Sequence, residues 1–334
     1  MKTYFPIDYK SDMTLYETQE AISLIKKTFQ KHLSDALHLK RVSAPLFVES
    51  DSGLNDDLNG VERAVSFDIP YAHKDACVVH SLAKWKRMAL YNYDFYMGKG
   101  LYTDMNAIRR DEALDNLHSI YVDQWDWEKI IDKKDRNLET LKKTVNNIHK
   151  CILATLATLK IKYPSIKVHL PEVLYFISSQ ELLDMYPNLS SKEREYEITK
   201  EHKAVFIIGI GDKLSNGQSH DGRAPDYDDW KLNGDLIYYH EVLDCALEIS
   251  SMGIRVDADS LIYQLETSNH TDRMRYRYHQ MILNNELPYT IGGGIGQSRL
   301  CMLLMGKAHI GEVQSSLWDE YTLKLARENG IIIL

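Results

Sequence analysis

Two long helices are predicted by apolar residues that recur every three or four positions. Residues 14–17 (TLYE) have the form of a capping box, in which threonine and glutamate satisfy each other's backbone amides at a helix N-terminus. The apolar face that follows contains Ile22, Ile25, Phe29, Leu33 and Leu37. A second helix is predicted over residues 136–163, with an apolar face of Leu141, Val145, Ile148, Ile152 and Leu156.

Other segments have the patterns of strands. In residues 118–127 (HSIYVDQWDW), alternation places Gln124 and Asp126 on one face and Trp125 and Trp127 on the other. Residues 203–211 (KAVFIIGIG) predict a buried strand. Asn233-Gly234 predicts a turn that opens the strand GDLIYYH, and residues 242–256 are its expected partner. Residues 38–48 (HLKRVSAPLFV) predict an edge strand interrupted by a proline, Pro45.

This order of elements favours an α+β fold. The strands follow one another without regular helical crossovers, which favours an antiparallel sheet flanked by helices. No internal repeat, low-complexity segment or Pro/Ser-rich linker divides the sequence. We therefore expect residues 1–334 to form a single domain.

Composition excludes several classes of protein. No apolar run approaches the roughly 18 residues of a membrane helix, and the N-terminus lacks the apolar stretch of a signal peptide. A net charge of −8 argues against broad nucleic-acid binding, so residues 273–278 (RMRYRY) are expected to be a solvated helix face. The cysteines are far apart and predict reduced, buried thiols in a cytoplasmic protein. They are Cys77, Cys151, Cys245 and Cys301.

The glycine-rich residues 291–300 (IGGGIGQSRL) are the most informative segment. They fit neither the Walker loop, which needs Gly-Lys-Ser/Thr, nor the dinucleotide fingerprint, which would need a glycine in place of Arg299. Glycines let a backbone lie close to a ligand, and the arginine opens an apolar helix. By itself the segment is also compatible with tight strand–helix packing. It resembles the third signature of class II aminoacyl-tRNA synthetases, where a glycine-rich strand leads to an arginine that holds ATP phosphates.

Two further segments resemble the other class II signatures. Arg109 lies shortly before the strand predicted in residues 118–127. In the second signature the corresponding arginine grips the α-phosphate of ATP and the carboxylate being activated, which a planar guanidinium can contact bidentately. Arg110 is the alternative to Arg109. The first signature, a long helix followed by a proline-bearing strand, forms the dimer interface of that family and implies a homodimer here.

Carboxylates suggest a metal site and an amino-acid site. Asp235 and Glu248 are spaced as residues on adjacent strands of a hairpin could be, and two carboxylates beside a triphosphate suit Mg²⁺. Residues 226–230 (DYDDW) predict an acidic loop, which could also be a solvated turn. Together with Ser251 and Arg255 it suits a zwitterionic amino acid, because Asp228 could hold the ammonium group while an arginine or lysine holds the carboxylate.

Longer blocks resemble the ammonia-dependent asparagine synthetases, which are aspartate–ammonia ligases with a class II synthetase fold. The blocks cover nearly the whole chain and include residues 80–87, 100–109, 117–128, 223–230, 250–259 and 290–300. One departure is visible, since the connection after DYDDW is short where the family can carry a longer loop.

The resemblance implies two half-reactions. The β-carboxylate of L-aspartate attacks the α-phosphorus of ATP, giving β-aspartyl-AMP and pyrophosphate, and ammonia then releases asparagine and AMP. Arg109, Arg299 and Gly294 would contact ATP, and Asp235 and Glu248 would place Mg²⁺. The aspartate and ammonia pocket would be lined by Asp56, Ser81, Lys86, Gln124, Asp126, Asp228, Ser251 and Arg255.

Within this set the resemblance suggests finer roles. Lys86 would contact a substrate carboxylate, and Gln124 with Asp126 would form the pocket floor. Asp56 or Asp228 would take the proton of ammonium, and Asp57 could replace Asp56.

Alternatives differ in nitrogen donor or in activity. A glutamine-dependent enzyme would expose a cysteine after removal of the first methionine, but position 2 is Lys2, so free ammonia is the expected donor. An aspartyl-tRNA synthetase-like enzyme would need a tRNA-reading domain and a basic surface. A non-catalytic synthetase-like regulator would be expected to lack the phosphate arginines or the metal carboxylates.

Overall fold

A large sheet with helices packed against it organises the chain, and the computed structural model describes residues 2–56 and 62–334. The strands are β1 Leu39–Arg41, β2 Phe47–Glu49, β3 Ser66–Ile69, β4 Lys74–Val78, β5 Gly100–Ile108, β6 Tyr121–Ile130, β7 Tyr175–Ser178, β8 Ala204–Ile208, β9 Asp228–His240, β10 Cys245–Arg255 and β11 Thr290–Gly296. The helices are α1 Leu15–Leu37, α2 Ala83–Asn92, α3 Leu138–Lys162, α4 Ser179–Met185, α5 Ser191–His202, α6 Ala258–Thr267, α7 Arg277–Leu283, α8 Gln297–Met305 and α9 Glu320–Glu328.

The large sheet is antiparallel except at its edges. Within the described residues its strand order is β1-β5-β6-β11-β10-β9-β8-β7. The inner strands pair antiparallel, whereas β1 pairs with β5 and β7 pairs with β8 in parallel. The α+β class and the antiparallel sheet expected from the sequence are confirmed, and the two parallel edge pairs are additional.

One face of the sheet packs against α1, α3 and α8 to form the main core. The capping box predicted at Thr14 is present at the start of α1. The rings of Phe29 on α1 and Trp125 on β6 lie 4.7 Å apart between centroids, and Trp127 is fully buried on the same face. Alternation along β6 therefore directs Gln124 and Asp126 to the opposite face, as the sequence predicted.

The turn predicted at Asn233-Gly234 is wrong. Both residues lie inside β9. The expected pairing of this strand with residues 242–256 is present, and the two strands are joined by a turn at residues 241–244, where Asp244 has a φ of 49°. The Asn233 amide is used as a bridge, accepting from the Ile210 amide at 2.8 Å and donating to its carbonyl at 2.9 Å. A Cβ at Gly234 would lie 2.7 Å from the Phe206 ring. Close strand packing, a tertiary effect, explains the asparagine and the glycine here.

Three smaller expectations also need correction. Residues 38–48 do not form one interrupted strand, because β1 joins the large sheet and β2 joins a small sheet of order β2-β4-β3. Residues 226–230 are not a solvated loop, since Asp226 and Asp228 are buried and β9 begins at Asp228. Arg273 is likewise buried against Asp226, so residues 273–278 are not simply a solvated face.

The cysteine prediction is confirmed, because all four thiols are buried and free. No helix in the described part of the chain has the length and apolar character needed to span a membrane.

Candidate active site

A cavity of about 440 Å³ lies on the sheet face opposite the main core. Its walls come from residues that follow β5, the first half of β6, strands β9, β10 and β11, the first turns of α2, α5 and α8, and residues 221–224 before β9. Every site residue predicted from the sequence contributes to this wall. They are Asp56, Ser81, Lys86, Arg109, Gln124, Asp126, Asp228, Asp235, Glu248, Ser251, Arg255, Gly294 and Arg299.

The sequence left open two choices, between Arg109 and Arg110 and between Asp56 and Asp57. Arg109 follows β5 directly and lines the cavity, whereas Arg110 is exposed and is absent from the described lining. Asp56 is buried at the cavity wall. Asp57 lies outside the described residues.

The glycines of β11 mainly make room for neighbouring side chains. A Cβ at Gly292 would lie 2.5 Å from Glu128 Oε2 and 2.7 Å from an Arg255 guanidinium nitrogen. A Cβ at Gly294 would collide with the amide end of Gln124. At Gly296 the nearest atom would be Cβ of Arg299, at 3.3 Å. Of these three positions, Gly296 is the one where the missing side chain leaves open space beside an arginine.

A buried ion pair lies at the floor of the cavity, between α2 and β6. The Lys86 ammonium contacts the Asp126 carboxylate and donates to the Gly293 carbonyl at 3.1 Å. Both side chains are almost fully buried. Burial lowers the pKa of Lys86, and the Asp126 charge opposes that shift. A charged donor is thus held beside the glycine-rich strand.

Arg255 connects three strands beside this pair. Its guanidinium donates to Glu128 of β6 at 2.8 and 3.0 Å and contacts the Asp228 carboxylate of β9. Burial alone would lower the pKa of Arg255, but the charges of Glu128 and Asp228 raise it above its usual value. Because both carboxylates hold the guanidinium, Arg255 fixes the position of Asp228 at the cavity.

The two carboxylates predicted to bind metal lie on the same side of the β9–β10 hairpin. A register shift after Glu248 pairs Ser251 with Asp235, so that both Glu248 and Ser251 line the cavity. Burial and the nearby Glu248 charge raise the pKa of Asp235, although Arg223 opposes that shift. Two adjacent carboxylates, of which Asp235 has a raised pKa, fit a divalent cation with oxygen ligands.

Sequence reasoning missed Arg223 as a site residue. Its guanidinium donates to Asp235 at 2.6 Å and contacts the Ser251 hydroxyl. Lys192 of α5 also lines the cavity and pairs with Asp221 at 3.0 Å. Arg223 begins the block of residues 223–230 that carried the family resemblance, which was the available signal. No periodicity marks Lys192, since helix α5 is largely polar.

Two arginines place positive charge on the cavity wall, one just after β5 and the other in the first turn of α8. Arg299 lies in the first turn of α8 and donates to the Glu248 carbonyl at 3.1 Å. Arg109 is half-buried and lies 3.9 Å from the Glu112 carboxylate. These guanidinium groups therefore have donors left for an anionic ligand.

Comparison with known proteins identifies relatives over the full length. The profile of the aspartate–ammonia ligase family matches residues 16–330. The aspartate–ammonia ligase of Clostridium perfringens strain SM101 is 59% identical over 334 residues, covering 100% of this chain and 99% of the relative. That of Ligilactobacillus salivarius is 57% identical over 338 residues, covering 100% of both chains.

Solved structures share the fold at low sequence identity. Asparaginyl-tRNA synthetase from Entamoeba histolytica, in complex with asparaginyl-adenylate, has a TM-score of 0.66 and 15% identity, covering 92% of this chain and 73% of that one. The Pyrococcus horikoshii enzyme complexed with asparaginyl-adenylate has a TM-score of 0.66 and 16% identity, covering 91% and 70%. The class II synthetase-like fold expected from the sequence is confirmed.

The glycines of β11 provide a test of the site geometry. In Gly292→Ala the new methyl group meets a buried ion pair and the Trp127 carbonyl, so we expect the free energy of unfolding to fall by about 1–3 kcal/mol. In Gly294→Ala it meets only the end of a flexible glutamine, so we expect a smaller loss of stability but a displaced Gln124 and lower turnover. Denaturant unfolding and turnover, measured on both variants, check this contrast. Equal loss of stability in the two would contradict it.

Proposed function

The chain belongs to the aspartate–ammonia ligase family, and from this premise we propose that the cavity beside β11 carries out both half-reactions of asparagine synthesis. The enzyme is an ATP-dependent ligase that makes L-asparagine from L-aspartate. The proposal rests on three groups of residues that line one cavity. These are the two arginines assigned to phosphate, the carboxylate pair assigned to the metal, and the buried ion pairs assigned to the amino acid. The proposed intermediate is β-aspartyl-AMP. Structures with this fold hold asparaginyl-adenylate, an acyl adenylate of the same kind.

In the first half-reaction, an oxygen of the aspartate β-carboxylate attacks the α-phosphorus of ATP, and the bond to the bridging oxygen of pyrophosphate breaks. Arg109 and Arg299 hold the phosphates. Gly296 leaves open space beside Arg299, and Gly294 lines the cavity next to Gln124. Negative charge grows on the phosphoryl oxygens in the transition state. Guanidinium groups that are already in place stabilise that charge without reorganising.

Recognition of aspartate uses the charged floor of the cavity. In this proposal Lys86 contacts a substrate carboxylate and Asp228 holds the ammonium group. Both residues line the cavity, as do Ser81 and Ser251. Arg255 acts on the substrate through Asp228, since both of its partners are carboxylates of the protein. Gln124 and Asp126 form the floor, as their shared strand face requires.

In the second half-reaction, ammonia attacks the β-carbonyl carbon of the adenylate, and the bond to the AMP phosphate oxygen breaks. The attacking nitrogen has to lose a proton, which a carboxylate near the acyl group can accept. Asp56 and Asp228 both line the cavity, and either can serve. Ammonia as the donor, a homodimer and a cytoplasmic location are proposed with this function.

Magnesium fits the pair formed by Asp235 and Glu248. The raised pKa of Asp235 reflects its burial and the nearby negative charge of Glu248, which a divalent cation would offset. When bound, the ion would neutralise phosphate charge during the transfer. Arg223 already occupies one oxygen of Asp235, so it has to share this carboxylate with the ion.

The overall reaction can be tested in a single incubation with ATP, Mg²⁺, L-aspartate and ¹⁵N-ammonium. We expect labelled asparagine amide, AMP and pyrophosphate in equal amounts, observed by nuclear magnetic resonance. AMP without labelled amide would point to another acyl acceptor, as in a tRNA synthetase. Binding of ATP and aspartate without turnover would point to the non-catalytic regulator.

The phosphate arginines can be tested against a neighbouring control. Arg109→Ala and Arg299→Ala should each lower kcat/KM about 10²–10³-fold, the order seen when one preorganised donor is removed. Arg110→Ala changes an exposed side chain of the same charge one residue away, and should stay within about threefold of the unmodified enzyme. Steady-state kinetics with saturating ammonium checks this. A larger effect at Arg110 than at Arg109 would transfer the role to Arg110.

The metal site predicts a dependence on pH. Because the folded protein raises the pKa of Asp235, the carboxyl takes up a proton at mildly acidic pH and then competes with Mg²⁺. We expect apparent Mg²⁺ affinity in the presence of ATP to fall as the pH is lowered from about 7.5 to about 5.5. In Glu248→Gln the neighbouring charge is lost, so this fall should move to lower pH. Titration calorimetry of Mg²⁺ at several pH values measures both, and identical profiles would exclude coupling between Asp235 and Glu248.

A further inference from the structure

A buried aspartate on the core face of β6 contacts the helix that carries Arg299. Asp123 Oδ1 accepts from the backbone amide of Ser298 at 3.0 Å and from the Gln314 amide at 3.3 Å. Its Oδ2 accepts from the Lys26 ammonium at 2.9 Å. Asp123 is 6% exposed and lies on the same face of the strand as the core tryptophans Trp125 and Trp127. It also borders the edge of the cavity, as Ser298 and Gln314 do. A carboxylate is costly in that position unless it is paired and hydrogen-bonded.

Helix α8 depends on this carboxylate for its cap. The N-cap residue is Gly296, which offers no side-chain acceptor to the first turn. In most helices the N-cap side chain accepts from the second or third backbone amide. Ser298 is the second residue of α8, and its amide donates to Asp123 on the neighbouring strand. Because the cap comes from a neighbouring strand, the N-cap position beside the cavity can be a glycine and the helix is still capped.

The next residue after Ser298 is Arg299, whose guanidinium lines the cavity. We infer that Asp123 is a positioning residue for Arg299: it fixes the first turn of α8 and so sets where the guanidinium meets ATP. This inference rests on the proposed function, in which Arg299 holds phosphates. Gln314 strengthens the arrangement because its amide donates both to Asp123 and, at 3.0 Å, to the Ser298 hydroxyl.

Lys26 offsets the cost of burying the Asp123 carboxylate beside α8. A negative charge close to bound phosphates would oppose nucleotide binding, and the ammonium of Lys26 offsets it. Lys26 belongs to α1. A continuous chain of contacts therefore runs from α1 through Asp123 and Ser298 to the arginine of the cavity.

The test compares two double variants that both lack the ion pair. Lys26→Met/Asp123→Asn keeps an acceptor for the Ser298 amide, whereas Lys26→Met/Asp123→Leu has none. ATP affinity, measured by titration calorimetry with Mg²⁺ and without aspartate, should be about tenfold weaker in the leucine variant than in the asparagine variant. Aspartate affinity should differ far less between them, since Lys86 and Asp228 lie on other elements. If the leucine variant does not fold, Lys26→Met/Asp123→Val, with a strand-favouring residue, takes its place.

Several outcomes separate this inference from the function on which it rests. Equal ATP affinity in the two double variants would overturn the positioning role. Parallel losses of ATP and aspartate affinity would also overturn it, because they would indicate general loosening of the fold. Unmodified protein that binds no ATP would reject the proposed function itself. Normal ATP affinity in Arg299→Ala would reject the phosphate role of Arg299 and leave Asp123 as a helix cap.

Discussion

The ion network of Arg255 is the constraint on which the site depends. One guanidinium, buried on β10, joins Glu128 of β6 and Asp228 of β9, and it reaches Glu128 across the intervening strand β11. Thr290 of β11 adds a hydrogen bond to the same glutamate at 2.7 Å. Buried charges are tolerable only while each has its partner, and removing one leaves the others uncompensated. The register of four neighbouring strands and the position of Asp228 are therefore fixed together.

This network also explains the sequence of β11. The guanidinium and the glutamate occupy the space where a Cβ of Gly292 would lie. Two residues later, on the same face, Gly294 gives way to Gln124, and Gly296 then leaves room beside Arg299. Seen in the sequence alone, the glycines suggested a flat surface for a ligand. The structure assigns two of the three to side chains of the protein, so a glycine-rich strand can serve the packing of a site as much as its contact with phosphate. The sequence left open a tight packing of strand against helix, but at Gly292 and Gly294 the close neighbours are side chains of the adjacent strands.

Structural features that depend on residues close together in the sequence were predicted, whereas those that depend on residues far apart in the sequence were not. Alternation along residues 118–127 and the capping box at Thr14 are local, and both are present as predicted. The turn at Asn233-Gly234 was wrong because packing against Phe206 and a bridge to Ile210 outweigh local turn preference. The burial of Asp226 and Asp228 was not predicted, because it depends on distant cations such as Lys84 and Arg255. Arg223 was missed for the same reason, as its partner Asp235 lies on a strand that the misplaced turn had shortened.

The pairing of charges within the cavity bears on substrate selection. Lys86 is paired with Asp126, Arg223 with Asp235, and Arg255 with Asp228. A ligand that carried only one sign of charge would separate such a pair and leave a buried charge without a partner, which costs several kcal/mol, roughly 3–5 where it has been measured. L-Aspartate brings an ammonium group together with two carboxylates, so it can exchange with both members of a pair. Ammonia arrives neutral and needs no counter-charge until it has formed its bond. On this reasoning, the compensation of charge within the site favours a zwitterion first and a neutral nucleophile second, which is the order of the two proposed half-reactions.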